Sequence, residues 1–171
     1  MKKHKSYQPS RIGERMCDEF NEAKSFRETV FIAHLYIEYY INEILVKIFP
    51  HPEKIIDENE LGTFKNKMQL LDALGIFEGK ENLKNNVILI QRIRNYYAHN
   101  ISISDEFPDQ IVNRIKQMVY MNRDGSPDEY DVPWEDQIDA FDAQFSICAL
   151  ETTNHLVWLE DELETLNPKK K

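Results

Sequence analysis

Two cysteines, Cys17 and Cys148, are too few and too far apart for a disulfide framework, and neither has a Cys or His neighbour at metal-ligand spacing. They are expected as ordinary buried or half-buried thiols. With 5 glycines and 7 prolines in 171 residues, the chain has no Gly-rich phosphate loop and no nucleophile elbow, and no cofactor signature is read from it. No apolar run approaches the roughly 20 residues of a membrane span, and Lys2, Lys3 and Lys5 are not followed by the apolar core of a signal peptide. The expected compartment is the cytoplasm. Positive charge is scarce as well: 21 Lys and Arg stand against 30 Asp and Glu, for a net charge of -9. Nonspecific coating of nucleic acid needs a dense cationic surface, so that role is excluded. No short helix pair carries a basic recognition face, which makes specific DNA reading unexpected.

What is present is helical periodicity. A chain with 42% hydrophobic residues at this length supports one core. The reading is a polar, basic, disordered arm over residues 1–10, one helical domain over 11–166, and a basic tail over 167–171. A first helix is expected from Ile12 to Phe26. Val30, His34, Ile37, Ile41, Ile44 and Ile48 then recur at steps of four and three, which predicts a long helix ended by Pro50 and Pro52. A polar loop is expected through Glu60. Thr63 caps a short helix carrying Phe64, Met68, Leu71 and Leu74 inward, with Gly75 at its end. Another starts near Glu81, with Leu83, Val87, Ile90, Arg94 and Tyr97 on one stripe. Pro108 opens a helix burying Ile111, Ile115, Met118 and Val119, and Pro133 opens a last long one through Phe145, Cys148, Thr152, His155 and Leu159. The fold class is therefore all-α, a bundle of two long antiparallel helices plus shorter ones.

The charge is uneven. Between Gly79 and Ser104 the chain has Lys80, Lys84, Arg92 and Arg94 against Glu81 alone. Such a patch suits a phosphate-binding cleft or an ordinary solvated helix face. Arg94 falls on an inward stripe, where a guanidinium needs a carboxylate such as Glu38, Glu43 or Asp72, or else an external phosphate. Asn95 and His99, four apart, share a neighbouring face, and His99 could equally interact with the helix C-terminus. Of Tyr96 and Tyr97, one ring is expected inward and the other, Tyr96, against a base or a partner.

Arg94-Asn95-x-x-x-His99 resembles the R-N-x3-H form of the R-x4-6-H signature of HEPN domains, helical modules of many prokaryotic toxins and defence proteins. The ordered blocks Leu61-Gly62-Thr63-Phe64-Lys65-x-Lys67, Ala73-Leu74-Gly75 and Ile93-Arg94-Asn95-x-x-Ala98-His99 resemble the mannitol-operon-repressor-like proteins of that group. The resemblance spans roughly Val30 to Ser104. It implies a homodimer whose paired motifs face each other, and metal-independent attack of an RNA ribose hydroxyl on its own phosphate. Under it His99 is general base or acid, Arg94 holds the phosphate, and Asn95 orients the phosphate or the histidine. Lys84, Arg92 and Tyr96 are the accompanying RNA contacts. Many toxin members have a tyrosine two residues after the histidine, where this chain has Ile101. Both catalytic and silent members share the fold, so the resemblance also admits a non-catalytic regulatory module that binds an antitoxin or another protein.

Other constellations fail. His51-Pro52-Glu53 is no metal motif, and His34 and His155 on buried stripes read as hydrogen-bonded core histidines. Asn122-x-Asp124-x-Ser126-x-Asp128 has alternating oxygens, but Pro127 stands where a calcium loop needs glycine.

Overall fold

A computed structural model describes residues 11–56, 62–100, 107–122, 126–127 and 138–166. The expected basic arm and tail, the opening of the last helix at Pro133, and Ile101 lie outside the described residues. Among those described there are seven helices: α1 (Arg11–Glu22), α2 (Phe26–Ile48), α3 (Glu53–Ile56), α4 (Phe64–Ala73), α5 (Glu81–His99), α6 (Asp109–Ile115) and α7 (Ile138–Leu166). The one extended pairing is an isolated bridge between Met121 and Pro127, where Asn122 N–H donates to Ser126 O at 2.9 Å. The all-α bundle is as expected.

Local chemistry sets the boundaries. Ser25 is extended and its hydroxyl accepts from Glu28 N–H, so the first helix stops at Glu22 and Phe26 begins α2 instead of ending α1. Thr63 caps α4 in the same way through Asn66 N–H. Gly75 and Gly79, at φ 72° and 71°, make the left-handed turns that fold α4 back onto α5. The polar loop expected through Glu60 contains the short α3. Leu74 lies outside the core at 46% exposure, because α4 has already ended. α6 likewise ends at Ile115, so Met118 is buried from a turn, while Val119 exchanges both main-chain hydrogen bonds with Asn86.

The two long helices are not antiparallel. Phe26 meets Phe145 with ring centroids 5.1 Å apart, and Lys47 Nζ meets Glu160 Oε1 at 2.7 Å, so α2 and α7 run in the same direction. The antiparallel neighbour of α2 is α5, since Phe26 touches Tyr97 and Phe31 lies under Arg94. Hydrophobic periodicity fixes which face of a helix is buried and leaves the sense of packing open. Here the 19-residue α5 supplies the return crossing, and α7 then runs forward beside α2. Asn86 on α5, fully buried, ties that crossing to α7 through Thr152 Oγ1 at 3.3 Å.

Candidate nucleic-acid site at the end of α5

The last turns of α5 present the three residues of the suspected motif in different environments. Arg94 is half-buried, and its guanidinium carbon sits 5.6 Å from the ring centroid of Phe31 on α2. Its Nη1 donates to Asn95 Oδ1 at 3.2 Å, and its Nε is buried without a hydrogen-bond partner. Asn95 Oδ1 also accepts from Gln91 Nε2 at 3.2 Å, so one amide oxygen joins two turns of the helix. None of the expected carboxylates pairs with Arg94. Glu38 is taken by Lys67 at 3.6 Å and His34 at 3.9 Å, and Asp72 by Lys84 at 2.7 Å. Among the described residues Arg94 forms no ion pair.

His99 is exposed on the final turn. The capping work is done by Asn100, whose backbone N–H and side-chain Nδ2 both donate to Tyr96 O, at 3.1 and 2.8 Å. That leaves the imidazole available to solvent. At about 100° per residue, Asn95 and His99 differ by about 40° around the axis and about 6 Å along it, whereas Arg94 and His99 differ by about 140°. Asn95 therefore shares His99's side of the helix and is itself hydrogen-bonded to Arg94. One protomer does not bring Arg94 and His99 onto a single face.

Tyr97 is the inward ring, 7% exposed against Phe26, and Tyr96 is half-buried at the core's edge. Lys84 is tied to Asp72, while Arg92 is exposed and its carbonyl accepts from Arg114 Nη1 at 3.3 Å. Arg114 thus brings a second guanidinium beside Arg92, a contribution from α6 that the pattern along α5 alone did not disclose.

Behind the motif lies a polar cluster that sequence reasoning missed. His34 is 4% exposed and Lys67 3%, with Glu38 between them. His34 is a core histidine as expected, with Glu38 and the Gln91 amide as its polar neighbours, although its Nε2 and Gln91 Oε1 lie outside close hydrogen-bond geometry. Burial lowers the His34 pKa, Arg94 lowers it further, and Glu38 and the nearby Gln91 amide oppose the shift. The available signal for Lys67 was its place three residues after Phe64 and next to Met68, both buried, on the inward side of α4. No group of three or more His, Cys, Asp or Glu side chains is placed to hold a metal among the described residues, and no helix of the described chain is long and apolar enough to cross a membrane.

No family model, curated protein or solved structure matches this chain.

Proposed function

We propose that this chain is a HEPN-type, metal-independent endoribonuclease or RNA-binding effector that works as a homodimer, of the kind found in toxin–antitoxin or phage-defence systems. The observation that carries the reading is Arg94: a half-buried guanidinium, held by Asn95 and Phe31, with no carboxylate partner among the described residues. A guanidinium whose Nε is buried and unpaired is under-satisfied, and an RNA phosphate would neutralise it. In the proposed reaction a ribose 2′-hydroxyl loses its proton to a base and attacks the adjacent phosphorus. The P–O5′ bond breaks, O5′ takes a proton, and a 2′,3′-cyclic phosphate and a 5′-hydroxyl result. His99 serves as base or acid, because imidazole exchanges protons near neutral pH and this ring is open to solvent. Arg94 stabilises charge on the phosphorane, and Asn95 orients it.

Because Arg94 and His99 diverge within one protomer, the reading requires a second copy, so that the His99 of each chain faces the Arg94 of the other. Elsewhere on α2, Leu35 (64%) and Tyr39 (56%) are exposed beside α1, an apolar strip open to a partner. The same strip favours the second reading, a non-catalytic mannitol-operon-repressor-like module whose partner is a different protein. Incubating the protein with labelled single-stranded RNA in EDTA, and sedimenting it at micromolar concentration, separates the two. Cleavage to cyclic-phosphate ends by a dimer supports the first. A monomer that leaves RNA intact supports the second.

A further inference from the structure

Between α4 and α5 runs a groove of about 390 Å³ that ends at Asn95. Its floor is apolar: Phe64 and Met68 from α4, both under 9% exposed, and Ile88 from α5. One wall carries the exposed amide of Gln69, which offers both a donor and an acceptor, while Gln91 lines the groove with its Nε2 bound to Asn95 and its Oε1 buried. Its rim is cationic, with Lys65 on α4 and Arg92 on α5 exposed. Lys84 closes the far end, neutralised by Asp72. On a chain of net charge -9, this is a local reversal of sign.

We infer that this groove is a nucleotide subsite, which takes one unstacked base of single-stranded RNA into the Phe64–Met68–Ile88 floor while Lys65 and Arg92 hold its flanking phosphates. The inference rests on the RNA reading above and deepens it by naming what positions the strand. Three features select a nucleotide as occupant. The volume lies at the small end of the range for small-ligand sites, about 300–1,000 Å³, so it suits one nucleotide better than a helix or an extended peptide. An apolar floor beside the exposed Gln69 amide matches a base, which offers a π-face and a hydrogen-bonding edge together. The cations are at the rim, where the backbone of a base pointing inward would pass.

Placement adds a fourth argument. Lys84, Ile88, Gln91, Asn95 and His99 follow one another at steps of four, three, four and four, so the groove and His99 lie along one stripe of α5. A base seated over Ile88 leaves the next phosphate running toward Asn95, about one helical turn before His99. A duplex keeps its bases stacked and could not make this contact, so the subsite discriminates in favour of single strands.

The test measures binding of short fluorescein-labelled single-stranded oligoribonucleotides of oligo(A), oligo(U), oligo(C) and mixed sequence, and of a matched RNA duplex, to the full chain. Ile88→Trp fills the groove from a half-buried position, and Gln69→Ala removes an exposed amide; neither residue belongs to the packed core. The expected result is a loss of about tenfold or more in single-strand affinity for Ile88→Trp, with duplex affinity unchanged. Gln69→Ala should alter the ranking among the homopolymers. If Ile88→Trp fails to give a cooperative melt, Gln69→Ala and Lys65→Glu carry the test, the latter weakening all single strands alike. Base-dependent binding that is lost on filling the groove, without any cleavage by the wild type, supports the subsite and sinks the nuclease reading. Cleavage by both variants at wild-type rate and with wild-type base preference sinks the subsite and leaves the nuclease reading standing. Loss of the dimer in Ile88→Trp with RNA affinity unchanged assigns the groove to a second copy and also overturns the inference.

Discussion

Along α2, the flank against α7 and the flank against α4 and α5 are built from different chemistry. Toward α7 the chain is dry. Phe26 packs edge-on to Phe145, and Phe145, Cys148, Ala149 and Leu156 are fully buried, with burial pushing the Cys148 thiol well above its ordinary pKa. Few polar groups enter α7's buried side: Thr153 returns its hydroxyl to Ala149 O at 2.9 Å, Lys47 meets Glu160 at 2.7 Å, and Gln144, 2% exposed, leaves its Oε1 without a hydrogen bond. Toward α4 and α5, by contrast, His34, Lys67, Gln91 and Arg94 sit at the seam, and His34 Nε2, Gln91 Oε1 and Arg94 Nε have no hydrogen-bond partner. An unpaired buried group costs about 1–3 kcal/mol in desolvation, and this seam gathers a histidine, a lysine and an arginine where the α7 side has mainly apolar contacts. The wet flank borders the motif, and its incomplete satisfaction fits a surface that finishes its bonding with a ligand.

The comparison breaks first at Phe145. Phe145→Ala on the dry flank should cost about 3–5 kcal/mol by removing a fully buried ring, read as a melting temperature lower by roughly ten degrees. Nucleic-acid affinity of the remaining folded protein should not move. A loss within about 1 kcal/mol would mean that the α2–α7 seam is not the stabilising core.

On the other side, His99→Ala should do the reverse. His99 is exposed, and Asn100 supplies the cap, so the change should cost under about 1 kcal/mol in stability while lowering RNA cleavage by about 10²–10⁴. A variant that melts normally and cleaves as the wild type removes His99 from the chemistry. Arg94→Ala should differ from it in losing RNA affinity as well, since it removes the cation that Asn95 and Phe31 hold in place.

How much of this contrast was legible in the sequence follows from what periodicity reports. Val30, Ile37, Ile41 and Ile44 recur at helical spacing and are all fully buried, so the existence and inward face of α2 could be read directly. The direction of α7 could not, because a stripe has no polarity until its neighbours are known. Arg94 stood out as a charge on an apolar stripe, and its lack of a described carboxylate is the feature the proposal uses. Lys67 did not stand out, since a lysine between Asn66 and Met68 reads as solvated until Glu38, 29 positions earlier in the chain, is placed beside it. The groove was invisible for the same reason: Phe64 and Met68 on α4 and Ile88 on α5 each look like core positions, and only the turn through Gly75 and Gly79 opens a space between them.

A smaller effect is expected at Lys67. Lys67→Met keeps the stem's packing and removes a buried charge together with its loose 3.6 Å pairing to Glu38, so stability should change by no more than about 1 kcal/mol in either direction. Glu38→Gln should be worse than Lys67→Met, because it leaves the buried ammonium without its carboxylate. Denaturant melts of the two variants check the order, and the opposite order would mean that the Glu38 carboxylate is not what makes the buried lysine tolerable.

The smallest expected effect is a change in pH dependence at His34. Three groups bear on its ring, Glu38 on its own helix and Arg94 and Gln91 on α5, and Lys67 of α4 faces it from across Glu38. Burial is the largest influence and Arg94 adds to it, so the folded ring holds its proton less tightly than the usual value of 6.5. Between the folded and unfolded values the unfolded chain therefore binds more protons, and stability rises with pH through that window. The contribution of the neutral ring is complete above 6.5 and is lost progressively as pH falls below 6.5 toward the folded value. His34→Gln keeps a polar side chain of similar reach and removes the titration, while every other group titrates as before. Melting temperatures of the two proteins should run parallel above about pH 7 and converge as the pH is lowered toward 5, the wild type losing more. Parallel curves throughout would mean that the folded ring keeps its ordinary affinity for the proton, Glu38 and Gln91 offsetting burial and Arg94, whereas a wild type that gains on His34→Gln as the pH falls would mean that the fold holds the ring charged, a third cation beside Lys67 and Arg94.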